Sequence, residues 1–312
     1  MSTNKFEEIN EVPFAKSFSG HETFAFRYSW LKKGFDQLLL DRDVFQRDDA
    51  IVKLGVGKNM VRSIRHWCLA TKILEEIPGT HGKYLQPSQL GMRLMTSNGW
   101  DPFLEDDATL WLMHWNLASI GTRTAMWYWA FNRYYEYAFT RAGMFEALRR
   151  ALHTLGWTDI ADSTIKRDTD CFIHTYLPPK SGESKVNDSI ECPLANLNIL
   201  VQEPYTDRYR FVIGPKPSLP PSVFSYAILE YWDQTNTHRD TLELREIMRS
   251  EGSPVLIFKL DEESVLSFLD NIHTVSMGCV LFEDTPLVRR LVRKHQHEVD
   301  PLTILENYYE SQ

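Results

Sequence analysis

The sequence predicts a mainly α protein with small β wings: an N-terminal winged helix-turn-helix, a helical middle, and a C-terminal part of divergent winged-helix-like order. Three observations carry this expectation. A Gly-Val-Gly-Lys turn separates a short helical pattern from a longer basic one, a Pro-Gly/Gly hairpin follows, and aromatic-rich helical text fills the centre.

Taken in order, "TFAFRYSW" places Phe24, Phe26 and Tyr28 at every second position, the period of a half-buried extended segment. Ser29 then caps a helix in which Leu31, Phe35, Leu38 and Leu39 share a face. Asp48 and Asp49 cap "AIVKL", Gly55 stops it, and a helical pattern runs from Lys58 to Leu74. "LEEIPGTHGKYLQ" reads as a hairpin and "PSQLGMRLM" as helix. "DDATLWLMHWNLASI", "TAMWYWAFNRYYEYAF", "MFEALRRALHTLGW" and "STIKRDTDCFIHTYL" then form a helical bundle. The Pro-, Ser- and charge-rich "PPKSGESKVNDS" marks a linker. Domains are therefore expected over 1–98, 99–180 and 190–312. In the last, "PPSVFSYAILEYWDQ", "TLELREIMRS", "EESVLSFLDNI" and "SMGCVLF" give helix, helix, helix, strand, and "DPLTILENYYE" is a helix docking by its apolar face.

Composition narrows the function. At 312 residues and 43% hydrophobic the chain can bury a sizeable core. No stretch approaches the roughly 18 uninterrupted apolar residues of a membrane span, and the acidic start lacks a secretory pattern, so a soluble cytoplasmic protein without membrane partners is expected. The four cysteines are scattered, without zinc-ligand spacing, and read as free thiols. A net charge of -8 excludes coating nucleic acid by bulk attraction, so local charge must decide.

"LGVGKNMVRSIRHW" poses that local question. A phosphate loop requires G-x-x-x-x-G-K-S/T; here Val52 stands where the first glycine belongs and Asn59 where the hydroxyl belongs, so no nucleotide is expected. In a helix-turn-helix, Gly55 makes the turn, while Val56, Val61, Ile64 and Cys68 face inward. Lys58, Arg62, Arg65 and Lys72 form one outward stripe with Asn59 and His66 beside it. Between Lys53 and Lys72 there are five basic residues and no acidic one. Such a helix is expected to enter the major groove of double-stranded DNA, with Lys58 and Asn59 at base edges, Arg62 and Arg65 at phosphate or guanine, and His81 and Lys83 on the wing.

Through "SFSGHETFAFRYSWLKKGFD" and "LGVGKNMVRSIRHW", with "NDSIECPLANLNIL" and "PSVFSYAILEYW" further on, the chain resembles the family of unknown function numbered four thousand and seven. Members occur in bacterial DNA phosphorothioation systems of the Ssp type. The resemblance implies a DNA-nicking component working beside a cysteine desulfurase, an ATPase and a sulfur-transfer enzyme.

A nick needs an activated nucleophile and charge stabilisation at phosphate, usually from His, Lys and Arg or from a carboxylate-held divalent metal, Mg or Mn. "SGHETF" offers His21 and Glu22 ahead of Arg27, Lys32 and Lys33. "IKRDTDCFIHTY" sets Asp170 and His174 on one helix face, with Lys166, Arg167 and Asp168 nearby; "RKHQHEVD" adds His295, His297, Glu298 and Asp300. Each has a bland counterpart: a polar turn, a surface hydrogen bond, a solvated connector. The run from Trp127 to Tyr137 holds seven aromatics in eleven positions, so one or two rings are expected at the surface for base stacking, with Arg123 and Arg133 at phosphate. Two rival readings stay open, a non-catalytic DNA-binding adaptor and a transcription regulator.

Overall fold

Helix α1 (Tyr28–Leu40) buries Leu31, Phe35 and Leu38 from one face, together with Trp30 and Gly34. The extended segment expected ahead of it joins no sheet. Residues 24–27 run irregularly, and the Phe24 carbonyl accepts the Trp67 indole N–H at 3.2 Å, so a side chain stands where a partner strand would. Arg27, not Ser29, occupies the N-cap. The computed structural model describes residues 14–177, 192–235, 239–294 and 300–312; the expected linker lies outside them, as do His295, His297 and Glu298.

Helix α2 (Ala50–Leu54) stops at Gly55, whose φ of 62° provides the left-handed turn that ends it. Helix α3 (Lys58–Ala70) follows, buries Val61, Ile64 and Cys68 as the spacing requires, and packs on α1. Gly34 permits that approach, since a Cβ there would lie 2.6 Å from the Cys68 sulfur. The pattern read as helix to Leu74 ends four residues early. Lys72 takes φ 59°, and the chain turns into β1 (Leu74–Glu76), which pairs antiparallel with β2 (Leu85–Pro87) in the expected hairpin. Ser88 caps α4 (Gln89–Met95) by accepting the Gly91 N–H.

Helix α5 (Asp107–Ser119) is buried on every side from Ala108 onward, which explains text apolar at all phases. Helix α6 (Ala125–Asn132) shares this character but ends well before the aromatic run does; its last residues turn into β3 (Ala138–Thr140). Helices α7 (Arg141–Thr154) and α8 (Asp162–Tyr176) complete the middle. Strands β4 (Leu200–Gln202) and β5 (Arg208–Phe211) close an antiparallel sheet of order β3-β5-β4, which the sequence did not announce.

The C-terminal third runs α9 (Pro221–Thr235), β6 (Thr241–Glu243), α10 (Leu244–Arg249), α11 (Pro254–Phe258), α12 (Glu262–Asp270), α13 (Ile272–Val275), β7 (Val280–Asp284), β8 (Arg289–Arg293) and α14 (Pro301–Glu310). Its sheet has the order β6-β8-β7. Helix α14 docks on α9, and its tyrosines reach α5: the Tyr309 hydroxyl lies 2.7 Å from Thr109 Oγ1 and the Tyr308 hydroxyl donates to Asp106. Mainly helical architecture with small antiparallel sheets is thus observed. Trp67, Trp111, Trp115, Trp127 and Trp232 are fully buried in the core, and none of the four cysteines is in a disulfide. No helix among the described residues is long and apolar enough to cross a membrane.

Candidate nucleic-acid interface

The first turn of α3 follows Gly57, which supplies no side-chain cap to its N–H groups. Lys58 and Asn59 are exposed there, and Arg62 one turn on keeps 57% of its side chain in solvent. Arg65 departs from the expected stripe. It is half-buried, and its Nη2 donates to the Gly82 carbonyl at 2.6 Å, joining α3 to the β1–β2 hairpin; burial pulls its pKa below the ordinary arginine value. Lys72 leaves the stripe altogether, because α3 has already ended. Its ammonium lies 2.6 Å from Glu230 on α9, on a cavity of about 580 Å³ between the N-terminal helices and α9.

The hairpin connection carries positive φ at Gly79, His81 and Gly82. His81 and Lys83 are exposed, with Lys83 over the Tyr84 ring. Of the cations expected on α1, Lys32 pairs with Asp36, and Arg27 lies over the Trp30 ring at 5.0 Å from its centroid. Lys33 is half-buried.

"SGHETF" forms a tight loop with left-handed backbone at Ser19, Glu22 and Thr23, φ 61°, 50° and 72°. Such a conformation costs ~1–3 kcal/mol per non-glycine residue and persists only where the surroundings dictate it. Here α3 and α8 do so together. On the α3 side, Ser63 Oγ donates to the His21 carbonyl, Glu22 pairs with Arg62 at 3.3 Å, and Gly20 lies so close to His66 that a Cβ would come 2.4 Å from Nδ1. On the α8 side, Asp168 accepts the Ser19 N–H on both oxygens, at 3.0 and 3.2 Å, and His21 Nε2 stands 3.3 Å from Asp168 Oδ1. That last contact has ion-pair proximity without hydrogen-bond alignment, leaving Nε2 without a hydrogen-bond partner in the described structure. His21 Nδ1 accepts the Thr23 N–H, so the proton belongs on Nε2.

His21 is only 1% exposed, beside His66, Trp67 and Trp127. Burial above all, and after it the neighbouring His21, brings the His66 pKa down to about 3. The structure thus brings together two motifs read separately, but through Asp168, named in the sequence only as a neighbour. Asp170, on another face of α8, pairs with Arg141 at 2.9 Å, and His174 is exposed. Asp300 caps α14. Of the aromatic run, Tyr135 and Tyr137 reach the surface, whereas Arg123 and Arg133 pair with Glu76 and Glu251.

A family model described as a protein of unknown function, DUF4007, matches residues 18–309. The chain belongs to the DUF4007 family. Two crystal structures share its fold: one of magnesium ion-bound SspB, with TM-score 0.84 and 28% identity over 95% of this chain and 88% of that one, and one of SspB, with the same score and identity over 96% and 89%. No curated protein matches it. This DUF4007 chain is therefore SspB-like over nearly its whole length.

The magnesium of that relative raises the question of fit. Among the described residues no three His, Cys, Asp or Glu side chains come together as metal ligands. Asp168 spends both oxygens on the Ser19 N–H, and Asp170 faces a guanidinium. Magnesium is usually held through one or two carboxylates with several waters retained, so a site for it does not require such a cluster.

Proposed function

We propose that this protein engages double-stranded DNA through α3 and the β1–β2 hairpin, as a winged helix, and acts as the nicking subunit of a phosphorothioate DNA-modification defence system. The observation that carries the DNA reading is the exposed Lys58, Asn59 and Arg62 at an uncapped helix start, beside a hairpin presenting His81 and Lys83. A helix start without a side-chain cap, beside cations, suits a phosphate, and the order α1, α2, turn, α3, hairpin supports the winged-helix reading. The phosphorothioation context rests on family membership and the SspB likeness. Its partners would be a cysteine desulfurase, an ATPase and a sulfur-transfer enzyme.

For the chemistry, Glu22 is the favoured group. It lies at the surface end of a strained loop, against Arg62 of the DNA-facing helix, whereas His21 is sealed beneath it. A carboxylate beside a phosphate-binding guanidinium is placed to take a proton from an attacking water. A second reading, a DNA-binding adaptor that does not cut, is favoured by the burial of His21 and the pairing of Asp170 with Arg141.

Relaxation of supercoiled plasmid by the purified chain, in magnesium, manganese and EDTA, separates the two. Open circles that disappear with E22Q, while K58A/N59A/R62A loses both binding and cutting, support the nickase. Duplex binding without nicks, persisting when the three partner proteins are added, leaves the adaptor.

A further inference from the structure

The sequence placed Arg65 among the DNA contacts, yet the structure turns it toward its own hairpin. Its Nη2 holds the Gly82 carbonyl at 2.6 Å. The Gln46 amide, between α1 and α2, donates to the carbonyl of the next residue, Lys83. Two consecutive carbonyls are thus gripped by side chains from two different elements. Glu76, in β1, sits under the same turn: a Cβ on Gly82 would lie 2.8 Å from its Oε1, and its carboxylate pairs with Arg123 at 2.9 Å. The tip closes on itself through the Thr80 hydroxyl, which donates to the Ile77 carbonyl at 2.7 Å, and the Lys83 N–H, which donates to the Thr80 carbonyl at 3.0 Å.

We infer that Arg65 and Gln46 are positioning residues that fix the hairpin in one posture relative to α3, so that His81 and Lys83 meet the duplex already in place. A hairpin left free would lose its conformational freedom on binding, and that loss would subtract from affinity. Gripped by its carbonyls, it has little to lose. The inference rests on the DNA-binding reading above and reduces its contact set to Lys58, Asn59, Arg62, His81 and Lys83.

The salt dependence of duplex binding distinguishes a positioning residue from a phosphate ligand. Removing a phosphate contact lowers the slope of log K against log salt by about one, whereas removing a positioning residue weakens binding at every salt concentration and leaves the slope unchanged. For R65A the expected result is about tenfold weaker binding, and for the uncharged change Q46A about threefold, each with the wild-type slope. In both, the amide hydrogens of Ile77 and Lys83 should exchange faster while those of α3 keep their wild-type rates. Q46A alters an exposed residue and keeps the test open should R65A fold poorly. A slope lowered by about one in R65A makes Arg65 a phosphate ligand and overturns the inference; wild-type affinity in both variants overturns it too. If K58A/N59A/R62A binds like wild type, the DNA reading itself fails, and the exchange data still report whether the grip exists.

Discussion

His114 shows how far burial redefines a single residue. With 0% exposure, it donates from Nε2 to the Ile257 carbonyl at 2.9 Å, and its Nδ1 accepts the Tyr176 hydroxyl at 2.7 Å, so the neutral ring is fully satisfied. Desolvation, above all, lowers its pKa from 6.5 to about 3. Between these values the unfolded chain takes up a proton that the folded chain refuses, so stability rises with pH across the window. It is fully present above about 6.5 and is lost as pH falls toward about 3, at up to ~1.4 kcal/mol per pH unit. H114Q removes this one contribution. Urea unfolding of wild type and variant at about pH 7 and about pH 4 should show the wild-type advantage shrinking with acid; a gap that ignores pH would refute the assignment. Nothing in the sequence distinguishes this histidine from His81, which is exposed, because the distinction lies in partners far away along the chain.

At the scale of elements, the Ser19–Phe24 loop is a clasp between α3 and α8. Its residues touch Arg62, Ser63, His66 and Trp67 on one side and Asp168 on the other. D168A leaves the Ser19 N–H and the His21 ring without their acidic neighbour in a buried place, and is expected to cost ~2–4 kcal/mol in chemical denaturation. G20A drives a methyl into the His66 ring and should cost ~1–3 kcal/mol, less if His66 swings away. Wild-type stability in both would mean the clasp bears no weight. The turn between α2 and α3 and the β1–β2 hairpin were legible because Gly55 and the Pro-Gly/Gly pair mark turns whatever surrounds them. The clasp was not, since Ser19 and Asp168 are separated by 149 positions. Nor were β3, β4 and β8: strands of three to five residues give little alternation, and in β8 only Leu291 is buried among arginines that pair with Asp233, Glu262, Glu283 and Asp284.

Over the whole molecule the net charge is -8, so the proposed DNA contacts are a small basic set in an acidic protein. With Lys58, Arg62 and Lys83 as its exposed cations, duplex binding should release only a few counterions, giving a log–log salt slope of about -2 to -4 rather than the value near -10 of an extensively basic interface. Fluorescence anisotropy across a salt series measures it directly; a slope steeper than about -6 would require a second basic surface.

The division into segments also has a seam. Phe14 bridges to Gly121 and stacks on Tyr128 and Trp157, Ala15 donates its N–H to the Gly121 carbonyl, and the Ser17 carbonyl accepts the Ala125 N–H. The stretch just ahead of the clasp is therefore stitched into the start of α6, across from the unit it precedes. Anyone building chimeras that exchange the N-terminal unit between relatives would have to transplant residues 14–17 with the receiving surface at 121–128 as a matched pair. A graft of that unit cut at the linear boundary would arrive with its tether fitted to the wrong socket.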